Sequence, residues 1–231
     1  MTPPSDTETP SALDALRGKL MMAALPHVTF EGWSRAALEM AAADLGLDGA
    51  DVDRAFPDGP IGTLDCFSAW ADHQLEAEAA GWGGDPEWAE KGLRERVSAL
   101  LRRRIEIVSP YKEAVSRGAS FQALPQNAPT ALKCLSRTVD TIWQAAGDRS
   151  ADFSYYTKRM TLAGIYGATL LYWLTDNSEG NAETWRFLDR RLAGLRAFGE
   201  LTRQCKSALA HMPDPFRILG SFRRPPGPSG R

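Results

Sequence analysis

The chain has 231 residues, 43% of them hydrophobic and 24% charged, a composition that excludes a disordered polymer, a fibrous protein and a disulfide-rich miniprotein. The formal net charge of −2 hides a strong asymmetry along the sequence. Residues 1–90 carry 4 Lys or Arg against 17 Asp or Glu, whereas residues 91–231 carry 23 against 12. Anionic partners are therefore expected at the second half of the chain and not at the first.

Three widely spaced cysteines, Cys66, Cys134 and Cys205, indicate a reducing compartment and ordinary buried thiols. Residues 1–12 are acidic and lack the features of a targeting segment, so we predict a disordered leader in a bacterial, cytoplasmic chain. The most apolar stretch, 162–174, is shorter than the roughly 20 residues that a bilayer span needs. The sequence does not predict a membrane-spanning helix.

Apolar residues recur at intervals of three and four along nearly the whole chain, which predicts an all-α fold. Ser34 is the predicted N-cap of the second helix, and Gly46 is predicted to end it with a positive φ. The last residues, RRPPGPSGR, form a tail without core material. The predicted helices cover, in chain order, about 13–25, 34–45, 50–56, 61–80, 85–108, 110–122, 129–146, 152–176 and 182–210.

The first three helices match a helix-turn-helix, because a tight glycine turn joins the second to the third. The positions of Gly32, Trp33, Gly46, Leu47 and Phe56 resemble the tetracycline-repressor type of regulator. That resemblance implies a helix-turn-helix domain over 13–59 and a helical ligand-binding and dimerisation domain over 60–210. Residues 211–231 are then a basic, Pro- and Gly-rich tail near the membrane.

The predicted recognition segment has the wrong charge for DNA. It contains Arg54 and four carboxylates, Asp48, Asp51, Asp53 and Asp58. Repressors of this type usually have a phosphate-contacting Tyr and a Lys where this chain has Asp53 and Gly59. Because cations facing phosphates supply most DNA affinity, we predict that this module does not bind DNA.

Four blocks of sequence resemble the ubiquinone-biosynthesis accessory protein family. They are LPHVTFEGW at 25–33, AAADLGL at 41–47, AGDRSADFSYYTKR at 146–159 and ETWRFLDRRL at 183–192. The resemblance implies a tetracycline-repressor-like fold, a homodimer and binding of an isoprenoid lipid or phospholipid. It also implies a non-enzymatic role, in which quinone precursors are presented at the membrane to the di-iron demethoxyubiquinone hydroxylase.

The resemblance implies roles for individual residues. The family's aromatic pair falls on Tyr155 and Tyr156, and the residue that meets a phospholipid head group falls on Arg159. The hydroxylase-facing patch on the preceding helix falls on Asp140, Ile142 and Trp143, so the predicted partner-binding set is these three with Tyr155 and Tyr156. Relatives usually have Trp where this chain has Tyr155, which reduces the contact area.

The helix after this aromatic pair is nearly all apolar, with Gly164 and Gly167 leaving room beside it. Such a helix commonly forms a central core or a dimer interface. The resemblance favours a lipid tunnel instead, so the predicted lipid-binding residues include Tyr156 and Arg159. The alternative for Arg159 is a surface ion pair with Asp152 or Asp148. The other predicted lipid-binding residues are Met160, Ile165, Tyr166, Leu170 and Trp173; Leu162 and Leu174 are further candidate lining residues.

Residues 185–231 carry 10 Lys or Arg against 3 Asp or Glu, interleaved with large apolar residues. This pattern suits an anionic membrane surface, and relatives reach the membrane with a C-terminal amphipathic helix. Pro213 and Pro215 limit such a helix to about residues 216–224 here; a solvated basic tail is the alternative. We expect peripheral association with the bacterial inner membrane, or in eukaryotic relatives with the matrix side of the mitochondrial inner membrane.

Metal and catalytic motifs are weak in this sequence. Asp72, His73 and Glu76 place ligand types together on one helix, but a solvent-facing polar stripe is favoured over a metal site. No phosphate loop, nucleophile elbow or Cys/His arrangement is present. We therefore predict no cofactor other than the bound lipid and no enzymatic activity; the alternative function is a ligand-sensing transcriptional regulator.

Overall fold

The computed structural model describes residues 12–148 and 154–193, without the side chains of residues 154 and 155. These residues form helices joined by short turns and contain no strand, which confirms the predicted all-α fold. The leader up to residue 11, Asp152 and the basic tail lie outside them. The helices are α1 Ala12–Glu31, α2 Arg35–Asp44, α3 Gly49–Ala55, α4 Pro60–Trp82, α5 Pro86–Glu90, α6 Leu93–Val108, α7 Lys112–Gln122, α8 Ala128–Ala145 and α9 Ser154–Thr175; a tenth, α10, begins at residue 182 and is described to residue 193.

Both predicted boundaries of α2 are confirmed. The Ser34 side chain accepts a hydrogen bond from the backbone N–H of Ala37 at 3.2 Å, which caps the helix. Gly46 has φ of 69°, a conformation that costs glycine little. The turn that follows directs α3 back against α1 and α2, as in a helix-turn-helix.

The helix α1 is longer than predicted, because it continues through Pro26 to Glu31. Proline inside a helix removes one backbone hydrogen bond and costs about 3 kcal/mol. Leu25 and Val28 on either side of it are buried in the core, and their burial offsets this cost.

The single helix predicted from residue 85 to 108 is two helices. The backbone is extended at Lys91 and Gly92, where α5 stops and α6 begins. Each piece has its own N-terminal cap: Asp85 accepts from the N–H of Glu87 at 2.9 Å, and Glu95 accepts from the N–H of Gly92 at 2.9 Å. These caps compensate for the lost helical hydrogen bonds.

The core joins the helix-turn-helix to the helices that follow it. The helix α1 packs on α2, α4 and α7, and α4 packs on α6 and α8, which in turn packs on α9. The indole Nε1 of Trp33 donates to the carbonyl of Ala114 at 2.9 Å, so α7 is tied to the start of α2. The described residues through Asp189 form one compact unit, and the described residues 190–193 belong to a second. No helix in the described part of the chain is both long and apolar enough to cross a bilayer.

Candidate functional site: an apolar cavity and the α8–α9 surface

A cavity of about 320 Å³ lies between α4, α6, α7, α8 and α9. Most of its lining is aliphatic or aromatic, as in sites that bind apolar small molecules. The apolar side chains around it include Leu64, Phe67, Val108, Val115, Leu135, Leu170 and Leu171.

Two glycines shape the cavity in opposite ways. A Cβ added at Gly167 on α9 would meet no atom within 4 Å, so this glycine leaves open space at the wall. A Cβ at Gly118 on α7 would lie 3.1 Å from Leu64 and 3.2 Å from the Trp33 indole nitrogen. Gly118 therefore allows α7 to approach the core closely, whereas Gly167 keeps volume free.

A buried charge pair lies beside the cavity. Arg104, which lines the cavity and is 3% exposed, donates through Nε to Asp72 Oδ1 at 2.7 Å. Asp72 also accepts from Thr138 Oγ1 at 2.8 Å and from Arg137 Nε at 3.0 Å. Asp65 extends the network by accepting from Arg137 Nη1 at 2.7 Å. The prediction that Asp72 belongs to a solvent-facing polar stripe is thus wrong, because this residue is fully buried. The other two residues of the predicted stripe, His73 and Glu76, are exposed.

The ionisable groups around the cavity keep their ordinary protonation at neutral pH. Burial disfavours the charge on Arg104, but the carboxylate of Asp72 outweighs it and raises the pKa of the guanidinium. Burial raises the pKa of the Tyr166 phenol, although Arg104 opposes this. Burial and the neighbouring Asp65 raise the pKa of Cys134 to about 11. Tyr166 and Cys134 therefore stay protonated.

The predicted lipid-binding residues occupy three different environments. Tyr166 and Leu170 line the cavity. Ile165 and Trp173 are buried but lie outside its lining, as does Leu162. Tyr156 and Met160 are 69% and 77% exposed, on the first turns of α9. The structure brings together only part of the predicted set.

Arg159 forms a partly buried ion pair through Nε with Asp140 on α8. The alternative prediction for Arg159 was a surface ion pair with Asp148 or Asp152. Asp148 instead accepts from Lys158 Nζ at 3.0 Å, and Asp152 lies outside the described residues. This ion pair thus connects two of the predicted site residues, Asp140 on α8 and Arg159 on α9.

The predicted partner-binding residues do not all reach the surface. Ile142 is fully buried, because it follows Val139 and precedes Ala146 on the core face of α8. Ile142 therefore cannot contact a partner in this conformation, which corrects the prediction for this residue. Trp143 is half-buried, with Lys158 Nζ 5.7 Å from its ring centroid. The side chain of Tyr155 lies outside the described residues. We call the exposed or half-exposed residues Asp140, Tyr156 and Met160 the α8–α9 surface.

Two arginines of the helix-turn-helix, Arg35 and Arg54, are engaged by its own carboxylates. Arg35 on α2 pairs with Asp53 on α3 and with Glu39, and Arg54 pairs with Asp51 at 2.6 Å. Asp48 caps α3 by accepting from the N–H groups of Ala50 and Asp51. Asp48 and Asp51 thus stabilise the short helix α3, and Asp53 ties it to α2.

The polar part of the cavity was not predicted from the sequence. Arg104 appears in the run LRRRIEIV as an ordinary surface cation, and only its spacing of three and four from Leu100, Leu101 and Val108 indicates the buried face. Within the described residues, no group of three His, Cys, Asp or Glu side chains is placed to hold a metal ion.

The helix-turn-helix followed by helices around a cavity defines a tetracycline-repressor-like fold. The TetR transcriptional regulator from Nitrosomonas europaea ATCC 19718 matches with a TM-score of 0.61 at 20% sequence identity, covering 78% of this chain and 97% of that one. This likeness shows the fold alone.

Sequence comparison identifies the family. The family model described as COQ9 matches residues 128–199. The ubiquinone biosynthesis protein COQ9-B of Xenopus laevis is 32% identical over 209 residues, 87% of this chain and 70% of that protein. The COQ9 proteins of Drosophila melanogaster and Homo sapiens are 38% and 34% identical over 83% and 84% of this chain. This chain belongs to the COQ9 family of ubiquinone biosynthesis proteins. It spans 58% of the Drosophila protein and 62% of the human protein, both named as mitochondrial.

Proposed function

We propose that this chain is a non-enzymatic accessory protein of ubiquinone biosynthesis that binds isoprenoid quinone precursors. It acts as a homodimer at a membrane surface and presents the precursor to the di-iron demethoxyubiquinone hydroxylase. The observation that carries the proposal is the apolar cavity between α4 and α9, in a chain whose relatives are named for ubiquinone biosynthesis.

The lining of the cavity suits an isoprenoid. An isoprene unit offers only carbon and hydrogen, and it gains about 25 cal/mol for each Å² of apolar surface that leaves water. The wall supplies aliphatic side chains from α6, α7, α8 and α9, together with the ring of Phe67 on α4. Tyr166 and Leu170, two of the predicted lipid contacts, belong to this wall.

The α8–α9 surface is the proposed contact with the hydroxylase. Tyr156 and Met160 are one helical turn apart and both mainly exposed, so they present a continuous apolar patch. Aromatic residues and methionine are enriched at protein interfaces and supply much of their binding energy. The ion pair between Arg159 and Asp140 joins this patch to α8.

The basic C-terminal residues are the proposed contact with the membrane. Their excess of Lys and Arg over Asp and Glu, 10 against 3 in residues 185–231, favours an anionic lipid surface. A chain held there has access to ligands that do not dissolve in water.

The cavity is tested by filling it. The variant Gly167→Leu would place a side chain in the open space beside α9. It should therefore carry several-fold less co-purified isoprenoid or phospholipid than the unmodified protein. Mass spectrometry of the purified proteins measures the bound lipid. Gly164→Leu is the matched control, because Gly164 is on the same helix, also has open space, and does not line the cavity. Protein that is consistently empty, or equal lipid in the two variants, would refute cavity binding.

A further inference from the structure

The cavity between α4 and α9 opens to the surface at the end of α7. On the α4 and α6 side, the lining residues Leu64, Phe67 and Val108 are buried. On the opposite side, Ala123 at the end of α7 and Leu171 on α9 line the cavity and are both exposed, Leu171 by 59%. The mouth of the cavity therefore lies where the end of α7 meets α9.

Two further exposed leucines lie beside this mouth. Leu124 follows the lining residue Ala123 and is 41% exposed. Leu132, near the start of α8, follows the lining residue Ala131 and is 66% exposed. We call Leu124, Leu132 and Leu171 the mouth leucines. A single exposed leucine is ordinary on a protein surface, but three around one cavity mouth indicate a surface that contacts a partner or a membrane.

The segments that carry the mouth leucines contain no charged residue. Residues 118–132 contain no Asp, Glu, Lys, Arg or His, and neither do residues 160–175, in a chain of which 24% is charged. The cations at the two ends of the first segment, Arg117 and Lys133, are each paired with a carboxylate of the chain. Such a surface can enter hydrocarbon without the large cost of desolvating an ion.

The residue types at the mouth favour lipid over a protein partner. Within residues 118–132, the exposed side chains are those of Ser, Ala, Leu, Pro and Gln. Protein interfaces are instead enriched in aromatic residues, Met and Arg, and leucine is under-represented among the residues that dominate their binding energy. Tyr156 and Met160, the proposed contact with the hydroxylase, are about three helical turns or more from Leu171 on α9. The two surfaces are therefore separate.

We propose that the mouth leucines insert into the hydrocarbon region of a membrane, so that the cavity opens directly into the bilayer. This inference rests on the proposed function, in which the cavity takes an isoprenoid. A dry cavity on the order of 150 Å³ holds one benzene molecule, so about 320 Å³ holds only part of a long isoprenoid chain. The isoprene units outside the mouth then stay in hydrocarbon instead of water. The basic C-terminal residues contact head groups, whereas the mouth leucines contact acyl chains.

Flotation of the full chain with neutral phosphatidylcholine vesicles tests this insertion, because these vesicles offer no net charge to the basic C-terminal residues. The double variant Leu124→Ser/Leu132→Ser should bind them about tenfold more weakly than the unmodified protein, since it loses two large apolar contacts. Leu45→Ser/Leu93→Ser is the matched control. Leu45 and Leu93 are 42% and 40% exposed, and neither of them lines the cavity or follows a lining residue.

Uptake of ubiquinone separates the mouth from the cavity. Transfer of ubiquinone with ten isoprene units from neutral vesicles should be about tenfold slower in Leu124→Ser/Leu132→Ser. The affinity of this variant for ubiquinone with one isoprene unit, added without vesicles and measured by calorimetry, should equal that of the unmodified protein.

The outcomes distinguish this inference from the proposed function. If the unmodified protein binds neither ubiquinone, the proposed function and this inference fail together. If it binds both, then absence of binding to neutral vesicles, or equal vesicle binding and uptake in the two double variants, overturns the inference alone. Dissociation of a homodimer in Leu124→Ser/Leu132→Ser, measured by sedimentation velocity, would also overturn it, because the mouth leucines would then join two copies of the chain.

Discussion

Asp140 on α8 and Arg159 on α9 form an ion pair that crosses the boundary between these two helices. The arginine is mainly buried, whereas the carboxylate remains partly accessible. A residue that was predicted to meet a phosphate is therefore held by a carboxylate of its own chain. The contribution of Arg159 to phospholipid binding and its contribution to stability have to be separated by experiment.

Exchanging the two charges separates these contributions. Arg159→Glu alone should lower the free energy of unfolding by on the order of 1 kcal/mol, because it places two carboxylates together. The double variant Arg159→Glu/Asp140→Arg should recover the melting temperature, since the pair is restored in reverse. Phospholipid retention, measured by mass spectrometry, should stay low in both. Recovery of phospholipid in the double variant would show that Arg159 acts only through Asp140.

Tyr156 should contribute strongly to binding the hydroxylase and little to stability. Its side chain is 69% exposed, so Tyr156→Ala should change the free energy of unfolding by less than about 0.5 kcal/mol. An aromatic anchor at an interface is commonly worth about 2 kcal/mol, which predicts at least tenfold weaker binding. Phe30→Ala is the control, because Phe30 is 81% exposed on α1. Equal affinities of the two variants in a pulldown or calorimetric assay would remove Tyr156 from the interface.

The buried pair of Asp72 and Arg104 should be costly to break. Asp72→Leu leaves the Arg104 charge without its carboxylate in the core, and we expect a loss of about 3 to 5 kcal/mol in the free energy of unfolding. The double variant Asp72→Leu/Arg104→Met should lose less than this single variant, because no charge is stranded. Urea denaturation of both proteins measures the difference. Additive losses would mean that the two residues are not coupled.

Asp176 should make the stability depend on pH. Burial opposes its ionisation, but hydrogen bonds from Thr184, at 2.6 and 2.8 Å, and from Ser178 outweigh this and hold its pKa below the ordinary value. A depressed carboxyl pKa stabilises the fold above the unfolded pKa of about 4, and this stabilisation disappears as the pH falls through the folded pKa. Asp176→Asn should thus be less stable than the unmodified protein at neutral pH, with the difference shrinking in acid. A difference that is constant with pH would exclude this role.

The helix-turn-helix should not bind DNA even when salt favours it. Arg35 and Arg54 are paired with Asp53 and Asp51, and Asp48 and Asp58, which flank α3, repel phosphates. We expect no shifted band in a gel assay at about 50 mM salt, where nonspecific binding is strong. A band that weakens as salt is added would instead support the ligand-sensing regulator.

Local structure was the most predictable part of this fold. Ser34 and Gly46 act through hydrogen bonds and dihedral angles of the nearest residues, so their roles follow from sequence. The cavity wall did not follow, because α9 is apolar on nearly every side and its periodicity does not distinguish Tyr166 from Trp173. Ile142 was assigned to the surface by family resemblance, although its three- and four-residue spacing from Val139 and Ala146 indicates the core.

Long-range pairing explains why the buried pair of Asp72 and Arg104 was not predicted from the sequence. Asp72 meets Arg104 and Arg137 only after α4, α6 and α8 have packed, and these partners are 32 and 65 residues away in the chain. A charged residue is expected at the surface unless such partners are known. Sequence patterns within one helix contain no information on them.

The size of the cavity has a consequence for the proposed ligand. The space of about 320 Å³ between α4 and α9 takes only part of a long isoprenoid chain, so the remaining units of a bound precursor would lie outside it. On the proposed function, this site would therefore not sense total chain length, and precursors with short or long side chains should bind equally well.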